Sequence, residues 1–144
     1  MERKCRPDDI DALFLIEADA GKAAWTRAVV QQFLERKDTR FRVITTVAAP
    51  QTPIAFYVVL ENGGAVYLAN LAVASGWRRR TVATFALKNV AGWSRRRGFS
   101  RIELHVQEEN LGAQLFYKKN GFLAVDIIHR HYRGQDGYAM RKDL

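Results

Sequence analysis

The sequence predicts one α+β domain built around a mixed β-sheet, and three observations lead there. Apolar residues switch between a period near 3.6 and a period near 2, which gives the element order β α α β β β α β α β β. Residues 65–106 run strand, helix, strand, a crossover that lays its two strands parallel, whereas short turns elsewhere join antiparallel neighbours. The chain has 144 residues, 48% of them hydrophobic and 11% aromatic. A domain of this length buries roughly two-thirds of the surface its unfolded chain exposes, so one core can be filled.

Residues 2–6 read as a short opening strand. Pro7, Asp8 and Asp9 then start a helix, since proline suits the first turn and carboxylates suit its positive end. Ile10, Leu13, Phe14 and Glu17 continue it at helical spacing until Gly21 breaks the pattern. A second helix runs from Thr26, a residue type that caps helices, through Val29, Val30, Phe33 and Leu34. Residues 41–48 and 54–60 are rich in β-branched and aromatic side chains and read as strands. Asn62-Gly63-Gly64 supplies positive-φ residues for a tight turn into a strand at 65–73, so strands two to four form an antiparallel meander. From Arg79 to Arg96 a stripe of Val82, Ala83, Ala86, Val90 and Trp93 marks the third helix, with Gly98 as its stop. Residues 101–106 alternate as a strand. Residues 111–119 make a fourth helix with Leu115 and Phe116 inward, closed by Asn120-Gly121. Residues 122–128 and 138–144 form the last strand pair, across a loop at 134–137.

Composition narrows the function. No apolar run reaches the roughly 18 residues that a membrane-spanning helix needs. The first residues, Met1-Glu-Arg-Lys-Cys-Arg-Pro7, are charged and lack the apolar stretch of a secretory signal. Cys5 is the only cysteine, which excludes an intrachain disulfide framework and a cysteine-based zinc site. A cytoplasmic protein without membrane attachment is expected. Lysine and arginine total 23 against 15 aspartates and glutamates, a net charge of +8, with arginines bunched at Arg78–Arg80 and Arg95–Arg97. Such an excess attracts phosphates or nucleic acid, and it equally describes a solvated basic face. The first triplet stands where a strand turns into a helix, and helix-start N–H groups together with the helix dipole favour an anion there.

At that junction Arg78-Arg79-Arg80-Thr81-Val82-Ala83 resembles the phosphate loop of the GNAT superfamily of acetyl-CoA-dependent N-acetyltransferases, Gln/Arg-x-x-Gly-x-Gly/Ala. Thr81 replaces the central glycine of that loop. A Cβ there narrows the approach of a diphosphate, and weaker coenzyme binding is expected. A second segment carries the resemblance further. Leu104, Val106, Asn110, Ala113, Tyr117, Gly121 and Phe122 keep every spacing of the family's L-x-V-x-x-x-N-x-x-A-x-x-x-Y-x-x-x-G-F. Tyr67-Leu-Ala-Asn-Leu-Ala-Val73, Trp25-Thr26 and the tail from Tyr132 onward are similar to the protein N-terminal acetyltransferases, meaning RimI-type enzymes and the catalytic subunits of eukaryotic and archaeal ones.

The resemblance implies the GNAT fold, with helices on both faces of the sheet and a splayed strand pair that admits acetyl-CoA. It implies direct acetyl transfer to the α-amine of a protein or peptide, a ribosomal protein or nascent chain among the acceptors. Arg78, Arg79, Arg80, Thr81, Val82 and Ala83 would cradle the coenzyme's phosphates. Backbone N–H groups of Leu71, Ala72 and Val73 on a bulged strand would bind the thioester oxygen and pantetheine amides. Asn110 matches the residue that positions the coenzyme arm, and Tyr117 the tyrosine that protonates or stabilises the leaving thiolate. Tyr67 and His105 occupy the places where one branch of the family holds a water that removes the amine proton. RimI-type enzymes have a glutamate at the place of His105; Glu103 is the fallback carboxylate here. An α-amine with a pKa of about 8 needs only modest help from a histidine near about 6.5. The acceptor is implied to lie between residues 20–25 and a hairpin near 127–138, touching Trp25, Tyr67, Tyr132 and Tyr138. Gly21-Lys22-Ala23 stands where relatives carry bulkier residues, which leaves the pocket for the first acceptor residue undetermined.

Other readings stay open on the sequence alone. The same chemistry serves a GNAT acting on lysine or a small-molecule amine, and Thr81 suits a catalytically weakened CoA-binding module. Tyr117 on an amphipathic helix also suits a core, and His105 on an alternating strand suits a half-buried structural residue. His129 and His131 share a strand face, but no third ligand accompanies them and no metal is expected. Arg95–Arg97 offsets the dipole at a helix C-terminus; weak contact with ribosomal RNA is its functional alternative.

Overall fold

The computed structural model of the chain describes residues 1–19, 24–78, 81–132 and 135–144, the side chains of 130–132 and 135 excepted. Its strands are β1 (Glu2–Lys4), β2 (Thr39–Ile44), β3 (Ala55–Asn62), β4 (Ala65–Val73), β5 (Arg101–Gln107), β6 (Leu123–Tyr132) and β7 (Gln135–Asp143). Its α-helices are α1 (Ile10–Ala18), α2 (Arg27–Glu35), α3 (Val82–Arg96) and α4 (Leu111–Lys119). The strands form a mixed sheet in the order β1-β2-β3-β4-β5-β7-β6. The expected α+β class and element order are therefore present. The chain divides into two compact units, residues 1–60 with 69–90 and residues 61–68 with 91–144.

In the first unit β1, β2 and β3 are antiparallel, with Arg3 opposite Val43 and Val43 opposite Phe56. Leu13 and Ile16 of α1 and Val30 of α2 pack with Phe41, Val43, Phe56 and Val58 in one buried cluster. Thr26 caps α2 as expected: its side chain accepts the Val29 N–H at 3.2 Å. The helix expected at Pro7 begins instead as a single 3-10 turn, Pro7–Asp9, ahead of α1. Asp9 fixes that turn by accepting the Arg6 N–H at 2.8 Å and two bonds from the Arg3 guanidinium at 2.8 and 2.9 Å. β2 stops at Ile44, short of the expected residue 48. The chain turns there, with the Ala49 N–H bonded to Thr46 O, and returns so that the Ile54 N–H reaches Ile44 O at 2.8 Å. The third helix starts at Val82 rather than Arg79, because a 3-10 turn at Ser75–Trp77 and a left-handed Thr81 come first.

In the second unit Ala65–Tyr67 of β4 runs parallel to Arg101–Glu103 of β5, as the crossover requires. Ile102, Leu104 and Val106 are buried, while Arg101, Glu103, His105 and Gln107 line the other, half-buried face. β7 pairs antiparallel with β5 up to Gln107 opposite Gly137, and β6 pairs antiparallel with β7. That ladder holds Gly137 inside β7, so the hairpin loop is shorter than the expected 134–137; β6 reaches Tyr132 and β7 begins at Gln135. In α4 the expected inward Leu115 is 67% exposed. Tyr117 turns toward the buried Phe122 instead, edge to face with ring centroids 5.4 Å apart, while the half-buried Phe116 meets Tyr117 edge to face at 5.2 Å, and Leu115 is left outside.

Candidate active site

The first unit holds the residues expected to meet the coenzyme. Leu71, Ala72 and Val73 end β4, half-buried. Ala74 N–H continues the strand direction by bonding Ile54 O at 2.8 Å, and the Trp77 N–H closes the following turn on Ala74 O at 2.8 Å. Arg78 leaves that turn in an extended conformation and its Nε donates to Val73 O at 3.2 Å, folding the guanidinium back toward the strand end. Arg79 and Arg80 lie outside the described residues.

Thr81 then adopts φ +64, the left-handed region that glycine favours. Thr81 thus takes a backbone conformation that suits glycine while carrying a β-branched side chain. Thr81 O accepts the Phe85 N–H at 2.9 Å, so the helix proper begins after it, and the N–H groups of Val82, Ala83 and Thr84 have no acceptor within α3. Helix-start amides with a cation before them are what a diphosphate requires, and the Thr81 side chain is exposed at that helix start. The residues present fit a coenzyme phosphate.

The same unit contains a group the sequence reading passed over. Glu17, buried on α1, accepts the Trp25 N–H at 3.0 Å and the Asn70 Nδ2–H at 2.6 Å, both on Oε2. Burial pushes its carboxyl above the usual range, and the two donors pull it back only in part. A carboxylate inside the apolar stripe Ile10, Leu13, Phe14, Glu17 was the available signal. Trp25 itself stacks on Phe33, centroids 4.4 Å apart, and is half-buried.

The second unit holds the residues expected to move protons. The Tyr67 hydroxyl lies 3.1 Å from His105 Nδ1, with the rings edge to face at 5.1 Å. Parallel pairing of Tyr67 with Glu103 sets this up, since His105 is two residues further along the same face. Burial raises the Tyr67 pKa, so the phenol keeps its proton at neutral pH. Arg101 Nε donates to Glu103 Oε1, which ties up the fallback carboxylate.

Asn110 caps α4 by accepting the Ala113 N–H at 3.1 Å. Tyr117 is half-buried, and its helix ends in a Schellman turn: Phe122 N–H bonds Tyr117 O at 3.0 Å, Gly121 N–H bonds Lys118 O at 3.1 Å, and Gly121 is left-handed at φ +93. The Phe122 ring then packs edge-on against Tyr117 and fixes its orientation. Tyr138 is half-buried on β7 opposite Val106 and Ile127; Tyr132 pairs with Gln135 through its backbone, and its side chain lies outside the described residues. His129 Nδ1 is 3.5 Å from Asp136 Oδ2 and largely exposed.

Comparison with known proteins identifies the family and the fold. The sequence model of the acetyltransferase (GNAT) family matches residues 10–122. A probable N-acetyltransferase named san, from Drosophila melanogaster, is 34% identical over 88 residues, 58% of this chain and 48% of that protein, so the match spans about half the length of that relative. A putative [ribosomal protein bS18]-alanine N-acetyltransferase of Bacillus subtilis is 23% identical over 96% of this chain and 91% of its own. Among solved structures, Ard1 from Thermoplasma volcanium superposes with a TM-score of 0.90 at 21% identity, covering 100% of this chain and 97% of that one. The ribosomal-protein-S18-alanine N-acetyltransferase from Escherichia coli gives 0.87 at 20% identity, covering 100% and 93%. These two likenesses are of fold; the match over residues 10–122 places the chain in the acetyltransferase (GNAT) family.

Proposed function

We propose that the chain transfers the acetyl group of acetyl-CoA to the α-amine of a peptide or protein N-terminus by direct attack. Family membership supports the reaction class, and the Tyr67–His105 hydrogen bond supports deprotonation of an amine acceptor. A protonated amine is no nucleophile, so a base must take one proton before the C–N bond can form. When His105 Nδ1–H donates to the phenol oxygen, the imidazole lone pair sits on Nε2, where it accepts that proton directly or through one water. In this tautomer the neutral Tyr67 hydroxyl is the acceptor of the Nδ1–H. Both relatives carry names of N-acetyltransferases, one of them acting on a ribosomal protein's alanine, which supports an α-amine acceptor.

Acetyl-CoA supplies the acyl carbon and a thiol leaving group. The amides of Leu71–Val73 orient the thioester carbonyl and draw charge onto its oxygen. The amides of Val82–Thr84 and Arg78 hold the diphosphate. As the C–N bond forms and the C–S bond breaks, Tyr117 gives its hydroxyl proton to the departing sulfur, the attacking nitrogen sheds its second proton to restore the Tyr117 phenol through solvent, and the proton held by His105 returns to solvent. The Schellman turn at Gly121 keeps that hydroxyl in one orientation.

Peptide-dependent thiol release, followed across pH, tests this reading. His105→Ala is expected to flatten the acidic limb of kcat/KM, and Tyr117→Phe to lower kcat with the fold intact. An acidic limb unchanged in His105→Ala would remove His105 as the base.

A further inference from the structure

Glu17 is 2% exposed and sits in the last turn of α1, beside Ile16 and one turn after Leu13. Among the described residues no cation pairs with it; its partners are the Trp25 N–H and the Asn70 amide. Burial lifts its carboxyl above the usual range. Stability alone does not explain such a residue, because a leucine of similar volume fills the same space with no desolvation cost. What a leucine cannot do is join two backbone segments. Trp25 immediately precedes Thr26, the cap of α2, and Asn70 immediately precedes Leu71.

We propose that Glu17 is a positioning residue for acetyl transfer: its Oε2 clamps the chain at Trp25 to β4 at Asn70, directly before the amides that orient the thioester. The inference rests on the transferase reading above, in which the segment leading to α2 borders the acceptor and Leu71–Val73 borders the thioester. With both bonds intact, the acceptor-side segment is fixed relative to the strand end. With both lost, the Trp25 N–H and the Asn70 amide must find other partners and the segment shifts. Both donors converge on one oxygen, so glutamine, with its carbonyl oxygen in that place, keeps both bonds. Leucine keeps neither.

Steady-state kinetics of the full chain separate this role from a structural one. Acetyl-CoA and a peptide with a free α-amine are varied in turn, using wild type, Glu17→Leu, Glu17→Gln and Asn70→Ala. Glu17→Leu is expected to raise the acceptor KM about tenfold or more, with the acetyl-CoA KM within about twofold of wild type. Glu17→Gln is expected to rescue the acceptor KM to within about threefold. Asn70→Ala removes one bond of the two and shifts the acceptor KM in the same direction by less, which keeps the test alive if Glu17→Leu does not fold. An active wild type beside a Glu17→Leu or Asn70→Ala protein that loses only kcat, with both KM values unchanged, overturns the positioning role. So does a Glu17→Gln protein as impaired as Glu17→Leu. A wild type that releases no thiol with any peptide overturns the transferase reading, and this inference with it.

Discussion

Thr81 carries a glycine's backbone on a β-branched residue. At φ +64 an L side chain costs roughly 1–2 kcal/mol, while glycine loosens the unfolded chain by roughly 0.4–1 kcal/mol. Thr81→Gly is therefore expected to raise the melting temperature by about 1–4 °C and to bind acetyl-CoA at least as tightly by titration; a lower melting temperature would show that contacts of the hydroxyl outweigh the strain. Asp9 makes stability depend on pH. Burial opposes its charge, but the Arg3 bonds and the Arg6 N–H hold its carboxyl below the ordinary 3.8. A depressed folded pKa contributes stability above the unfolded value and loses it as pH falls through the folded value. Glu17, raised, has the opposite sign: its ionised form costs stability above its folded pKa, and that cost fades as pH falls through it. Asp9→Asn is expected to lower stability at neutral pH and to flatten its decline below about pH 4 in denaturant titrations. At this scale Tyr117 was legible because its motif is local in sequence, and His105 because it falls between two residues of that motif. Glu17 was visible as a carboxylate on an apolar stripe, but its partner Asn70 lies 53 residues away, and no local pattern announces such a pair.

Elements differ in how far their own residues determine them. α4 runs over the expected residues 111–119 because both ends are set within it, by Asn110 at the start and Gly121 at the close. β2 and the β6–β7 hairpin missed their expected ends: β2 stops at Ile44 where its partner β3 starts at Ala55, and β7 is held as strand through Gly137 by its long-range pairing with β5. Leu115 missed for a related reason: helical periodicity allowed two inward arcs, and the Tyr117–Phe122 ring contact selected the one that exposes it. Because Gly121 closes the turn that orients Tyr117, Gly121→Ala tests the element directly. A Cβ there sits at φ +93 and 3.4 Å from Lys142 Cε, and the substitution is expected to cost about 1 kcal/mol. Thermal melting should fall and kcat should drop with it, while Asn110→Ser, which preserves a cap, should leave melting near wild type.

For the whole molecule, the net charge of +8 favours encounter with an anionic coenzyme. The kcat/KM for acetyl-CoA is expected to fall several-fold as salt rises from about 0.02 to about 0.5 M, while kcat changes little; a salt-independent kcat/KM would assign the basic residues to solvated surface. The fold class was legible because the parallel crossover and the antiparallel hairpins each leave a local signature. The acceptor was not, because α-amine, lysine and small-amine acceptors share one transfer chemistry and no local motif of the sequence separates them. The most direct measurement of the central claim mixes the protein with acetyl-CoA and a peptide bearing one free α-amine and one internal lysine, and maps the acetyl group by tandem mass spectrometry. Acetyl on the α-amine, in step with free thiol and with the lysine untouched, is expected. Acetyl on the lysine side chain, or an unmodified peptide beside intact acetyl-CoA, would contradict it.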